Sequence, residues 1–123
     1  MIVGIGVDVV DIARFERAAD RTPRLLARLF AESERMEGDR ERPLRSLAAR
    51  FGAKEALIKA LGSAAGVHWH DIQVVSDGQR NPSFSLTGEL ADVVAERGIT
   101  AMHLSMSHDA GVAIAYVIAE SLP

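Results

Sequence analysis

Residues 44–61 read LRSLAARFGAKEALIKAL, and their spacing predicts a helix. Leu47, Phe51, Leu57, Ile58 and Leu61 recur on one side at helical intervals, with Ala48 and Ala60 beside them. Gly52 lies inside the run and costs about 0.5–1 kcal/mol relative to alanine. Its missing side chain would let another segment pack closely. Gly62 is a natural stop signal. An apolar helix side of this length needs a partner surface, and the flanking sequence supplies candidates.

Upstream, Ile2 to Val10 reads as a strand. Val3, Ile5, Val7 and Val9 share one face, and Ile2, Gly4, Gly6, Asp8 and Val10 share the other. Glycine inside a strand marks close approach of a backbone or a ligand. Asp11 is positioned to cap a short helix from Ile12 to Ala19, with Ile12, Phe15 and Ala19 inward. Thr22-Pro23 reads as a second helix start, followed by Leu25, Leu26, Leu29 and Phe30. Ser33 to Met36 reads as a short turn and Gly38 to Pro43 as a charged loop.

Downstream of Gly62, Ser63 to His70 reads as a loop and Asp71 to Val75 as a strand. Asp77-Gly78 is a turn signal, Ser83 to Leu86 a strand, and Thr87 to Arg97 a helix with Leu90, Val93 and Val94 inward. Ala101 to Ser107 and Val112 to Ala119 are the last strands, joined through His108, Asp109, Ala110 and Gly111. The expected class is α+β: a mostly antiparallel sheet packed with a long central helix. Short strands leave edges that association with further copies would cover.

Composition narrows the function. With 123 residues the chain suits a single domain, residues 1–123. It has no cysteine, which excludes disulfides, thiol catalysis and cysteine-ligated metals. No run approaches the roughly 18 apolar residues of a membrane helix, and the N-terminal stretch lacks the basic region of a signal peptide. A cytoplasmic location fits. The net charge of −3 argues against bulk nucleic-acid binding. Arginine nonetheless crowds positions 14, 17, 21, 24, 28, 35, 40, 42, 45 and 50. That bias points either to solvated helix faces or to an anionic partner met at one surface.

Individual residues carry candidate chemistry. Asp8 interrupts a nearly uncharged strand and needs a partner, or else caps the following helix. Glu55 lies four residues from both Phe51 and Lys59, at the boundary of the apolar stripe. That spacing is also common surface decoration. If Asp8 and Glu55 meet, they offer two hard oxygen ligands of the kind Mg²⁺ takes together with substrate phosphates. Either Lys54 or Lys59 could neutralise a phosphate oxygen. His108 is open to three readings: base, phosphate donor or turn residue. His68, His70 and His103 lack ligand spacing, and no P-loop, dinucleotide glycine motif or nucleophile elbow is present.

At these residues the chain resembles the holo-acyl-carrier-protein synthases, the small bacterial class of 4'-phosphopantetheinyl transferases. Ile5-Gly6-Val7-Asp8 resembles the family's opening. Arg50 to Ala56 with Lys59-Ala60 resembles its second signature, and His103 to His108 its third. Gly78 to Pro82 resembles the turn before its middle strand. The segments occur in the family's order and cover nearly the whole chain. Gly52 departs from the alanine more often found there. Longer Sfp-like transferases share the Asp and Lys-Glu signatures, but this chain is half their usual length.

The resemblance implies the transferase's α+β fold and a homotrimer with each active site between two subunits. It implies transfer of the 4'-phosphopantetheine group from coenzyme A to a serine of apo acyl carrier protein, releasing adenosine 3',5'-bisphosphate. Mg²⁺ would sit on Asp8 and Glu55, with Asp8, Glu55 and Lys59 forming the catalytic set. The serine proton would go to Glu55 or to a metal-bound water. His108, Arg50, Arg42 and Lys54 would contact the coenzyme. Arg14, Arg21, Arg24 and Arg28 would receive the acidic carrier helix. Two alternatives from other classes are a non-enzymatic adaptor that binds an acidic protein through its arginine face, and another Mg²⁺-dependent phosphoryl enzyme.

Overall fold

In the computed structural model, which describes residues 1–62, 67–76, 79 and 81–123, the chain opens with strand β1 (Ile2–Asp11). Asp11 then caps helix α1 (Ile12–Arg21), its Oδ1 accepting the Arg14 N–H at 3.0 Å. The helix runs two residues past the expected Ala19. This overturns the reading of Thr22 as an N-cap, because the Thr22 N–H is engaged by the Ala18 carbonyl in the last turn of α1. Arg24 occupies the N-cap position of the one-turn helix α2 (Leu25–Leu29), without a side-chain cap. Helix α3 (Glu32–Arg35) follows. The charged 38–43 loop proves to contain half of a small hairpin, β2 (Met36–Glu37) with β3 (Arg40–Glu41), turning at Gly38 with φ +63°.

Helix α4 (Leu44–Leu61) covers the expected run. Gly62, at φ +81°, ends it by donating to the Ile58 and Lys59 carbonyls. The helix is buried on more than one side, since Arg50, Gly52, Ala53, Lys54 and Ala56 are buried along with the leucines. Phe51, expected inside, is only half-buried. Its ring lies 5.7 Å from those of both Phe15 and Trp69.

A 3-10 turn (Trp69–Asp71) leads to the antiparallel pair β4 (Ile72–Ser76) and β5 (Pro82–Leu86). The expected Asp77-Gly78 turn lies outside the described residues, as do 63–66 of the expected 63–70 loop and positions 78 and 80 of the 78–82 resemblance. Helix α5 (Gly88–Glu96) buries Leu90 and Val94, but Val93 points outward, contrary to expectation. One turn of a surface helix needs only the i, i+4 pair inward here. Strands β6 (Ala101–Asp109) and β7 (Val112–Glu120) close the chain. Their hairpin is tighter than expected, because His108 and Asp109 belong to β6. Ala110 and Gly111 form the two-residue turn with positive φ at both positions.

The principal sheet has the order β1-β7-β6 and is antiparallel throughout. Its inner face is lined by Ala113, Ala115, Val117 and Ala119 of β7, all buried. Gly4 and Gly6 complete it: a Cβ on Gly4 would overlap the Ala60 carbonyl, and one on Gly6 that of Ala56. Strand and helix therefore meet backbone to backbone. The valine-rich face of β1 looks outward, with Ile5 58% and Val9 60% exposed. The fold is α+β: among the described residues there are one three-stranded antiparallel sheet, two two-stranded ones and a long central helix. Among the described residues no helix is long and apolar enough to cross a membrane.

Candidate functional site

The glycine contact between β1 and α4 brings Asp8 and Lys59 together. The Lys59 ammonium donates to Asp8 Oδ1 at 2.9 Å and to the Val7 carbonyl at 3.1 Å. The Asp8 side chain is 15% exposed and that of Lys59 54%. Asp8 does not cap α1; Asp11 does. Glu55, one turn before Lys59, faces the same groove. Burial raises the pKa of Glu55, and the neighbouring Asp8 charge raises it further, while Lys59 pulls it down.

The groove has a volume of about 730 Å³. Asp8, Glu55 and Lys59 are its charged part, Arg14 adds a cation, and Phe15, Leu25, Leu29, Phe51 and Trp69 give it an apolar wall. The two carboxylates, from a strand and a helix, feel each other's charge, which a hard cation between them would relieve. Among the described residues no cluster of three or more metal-ligating side chains occurs. A pair of carboxylates nonetheless fits Mg²⁺, which commonly takes one or two protein carboxylates and completes its shell with phosphates and water.

A second cleft, of about 340 Å³, brings Arg50 and His108 together, with Arg45, Ser46 and Ser107 on its lining. Arg50 is 8% exposed. Its Nη1 donates to Ser46 Oγ at 3.2 Å, and its Nε is buried without a partner. Burial lowers its pKa, and the charge of Arg42 lowers it further. Arg45 and Ser46 were not anticipated. The signal was present: they lie one helical turn before Arg50, and Ser46 sits at the i−4 position.

Arg42 is close enough to act electrostatically on Arg50 but does not line that cleft. Its Nε donates to the Glu34 carbonyl at 3.1 Å and its Nη2 to that of Met36 at 3.4 Å, beside Glu37. It borders a neighbouring cleft of about 510 Å³ with Arg35 and Glu41.

Lys54 requires a correction. Expected at the coenzyme phosphates, it is fully buried. Its ammonium donates to the Leu29 carbonyl at 2.7 Å, Glu34 Oε1 at 2.8 Å and the Trp69 carbonyl at 3.2 Å, which engages all three protons. Spacing carries this signal too. Positions 47, 51, 54, 58 and 61 alternate steps of four and three, so Lys54 falls on the buried seam.

Arg14, Arg21, Arg24 and Arg28 are all exposed. His103 pairs with Glu120 at 3.0 Å, and His70 Nε2 lies 2.7 Å from the Ala27 carbonyl.

A strand carboxylate meeting a helix Glu–Lys pair, on a small α+β scaffold beside an arginine–histidine cleft, defines a class that comparison identifies. The family model described as the 4'-phosphopantetheinyl transferase superfamily matches residues 4–117. The chain belongs to this superfamily of transferases. Among curated relatives, the holo-[acyl-carrier-protein] synthase of Clavibacter michiganensis subsp. michiganensis is 60% identical over 120 residues, covering 98% of this chain and 97% of that one. The crystal structure of holo-[acyl-carrier-protein] synthase from Neisseria meningitidis aligns with a TM-score of 0.89 at 32% identity, over 98% of this chain and 100% of that one. The Chronobacterium ammoniagenes ACPS–CoA complex aligns at 0.83 with 27% identity, over 98% of each chain. The adaptor and the unrelated phosphoryl enzyme are not favoured by these likenesses.

Proposed function

We propose that this chain, as one transferase domain spanning residues 1–123, moves the 4'-phosphopantetheine group from coenzyme A to a serine hydroxyl of an apo acyl carrier protein. The other product is adenosine 3',5'-bisphosphate. The observation that carries the reading is the convergence of Asp8, Glu55 and Lys59 on one groove.

The serine oxygen forms a new bond to the pantetheine-side phosphorus, and the bond from that phosphorus to the bridging pyrophosphate oxygen breaks. Glu55 is the group we assign to take the serine proton, because Asp8 is already paired with the Lys59 ammonium. Lys59 places positive charge beside the transferring phosphoryl group. Asp8 and Glu55 would hold Mg²⁺, which when bound supplies charge neutralisation at the pyrophosphate. Arg50 and His108 grip the nucleotide phosphates, and Arg42 adds positive potential behind them. Arg14, Arg21, Arg24 and Arg28 steer the acidic carrier.

The exposed apolar face of the principal sheet, with Ile5, Val9 and Tyr116 outward, supports association with further copies, and the assembly we infer from the family resemblance is a homotrimer with sites between subunits. The setting we infer is cytoplasmic, priming carriers for fatty acid synthesis. Chromatographic detection of adenosine 3',5'-bisphosphate tests the reaction. The nucleotide should form only when coenzyme A, Mg²⁺ and apo carrier are all present. Its formation without carrier would indicate hydrolysis and contradict the proposal.

A further inference from the structure

Lys54 and Glu34 form a polar hub in the core, and the phosphate chemistry does not use it. Both side chains are buried, Lys54 at 0% and Glu34 at 2% exposure. Glu34 Oε1 accepts from the Lys54 ammonium at 2.8 Å and from the Ala31 N–H at 3.0 Å; Oε2 accepts from the Val74 N–H at 3.3 Å. Lys54 also reaches the Leu29 carbonyl at the end of α2 and the Trp69 carbonyl, and its ammonium lies 4.7 Å from the Phe30 ring centroid. One pair thus ties α4 to α2, α3, the 3-10 turn and β4.

Such a pair contributes little net stability, because the cost of removing both charges from water offsets their attraction. What it supplies is fixed geometry. Helix α2 has only one turn and no side-chain cap, so it cannot hold its own orientation. The Leu29 carbonyl lies at the C-terminal end of that turn, where intrahelical partners run out. Leu29 and Trp69, whose carbonyls Lys54 holds, both line the groove of Asp8, Glu55 and Lys59. Arg24 and Arg28 stand at the two ends of α2. Lys54 precedes Glu55 directly on α4 and points into the core while Glu55 faces the groove.

We propose that the Lys54–Glu34 pair is a positioning device that fixes α2 and its arginines against the helix bearing Glu55, and so sets carrier affinity without touching either substrate. This rests on the carrier-docking reading of the α2 arginines.

Three measurements on Lys54→Met and on the double variant Lys54→Met/Glu34→Met test it. They are thermal stability, KM for each substrate, and hydrogen exchange of the amides from Leu25 to Leu29. The single variant leaves a buried carboxylate without its cation; the double variant removes both charges and supplies a folded protein where the single one fails. In the double variant stability should return towards the native value. The KM for apo carrier should nevertheless stay raised at least about tenfold, with that for coenzyme A within about twofold. The α2 amides should exchange faster while those of β1 and β7 do not. Return of both stability and carrier KM to native values would overturn the proposal, as would unchanged exchange in α2 or an equal rise for both substrates. Failure of the docking reading itself would look different. Arg24→Glu/Arg28→Glu would leave carrier KM unchanged at low salt, while α2 exchange in the double variant still rose.

Discussion

Asp8 and Lys59 meet at 2.9 Å because neither Gly4 nor Gly6 has a Cβ to hold β1 away from α4. Gly6→Ala would drive a methyl group into the Ala56 carbonyl, and backbone cannot yield as a flexible side chain does. It should cost at least about 2–3 kcal/mol, read from denaturant unfolding, and lower activity with it. A cost near zero would show that the contact is slack. Asp8→Ala should instead leave the fold intact and nearly abolish transfer. Glu55 allows a sharper test, by thermal melts in chelator. Its folded pKa is raised from 4.5, so the native state holds its proton more tightly than the unfolded chain. Stability therefore falls as pH rises from 4.5 through the raised value, so the native carboxyl stabilises the fold less at neutral pH than below 4.5. Glu55→Gln should be more stable than native at neutral pH, lose that gain below 4.5, and be nearly inactive. A neutral-pH loss of stability would contradict the assignment. Lys54 shows what single residues conceal: sequence names two lysines beside Glu55, and only the buried seam separates the one in the core from the one at the groove.

At the scale of elements, α4 was legible end to end, because apolar spacing and Gly62 both mark it. Strand β1 was legible as a strand, and its two glycines marked the face that another backbone approaches. Hydropathy favours the valine side, whereas backbone-to-backbone packing selects the glycine side. The α1–α2 junction was misread because Thr22-Pro23 looks like a helix start whether or not the previous helix has finished. That junction bears on the proposed docking surface. Arg24 precedes α2 and Arg28 lies within it, and the Arg28 N–H still reaches the Arg24 carbonyl at 3.1 Å, so the two arginines share a side. Arg24→Glu/Arg28→Glu should raise KM for carrier strongly and leave that for coenzyme A little changed. The effect should shrink with added salt, since the Debye length falls from about 10 Å at 0.1 M to about 3 Å at 1 M. Steady-state kinetics with each substrate varied in turn decides it. No effect at low salt would return these arginines to the solvated surface.

For the whole molecule, the outward face of the β1-β7-β6 sheet is the feature a lone subunit leaves unexplained. Val3, Ile5, Val7, Val9, Ile114 and Tyr116 are exposed on it. A contiguous apolar face of this kind marks an association surface. Light scattering should give three times 13.2 kDa for the native protein, and Ile5→Lys/Tyr116→Glu should yield monomers with little activity. Fully active monomers would refute sites shared between subunits. The pattern of alternation was readable along β1, but one chain's hydropathy does not specify what covers the face. The proposed activity is one chemical event, transfer of the phosphopantetheine group, and intact-mass spectrometry of the carrier reads it directly. After incubation with the native protein, coenzyme A and Mg²⁺, apo acyl carrier protein should gain about 340 Da, the mass of the phosphopantetheine group. A carrier with its acceptor serine replaced by alanine should gain nothing. An unchanged mass for the native carrier, with the transferase folded and both substrates bound, would contradict the assignment.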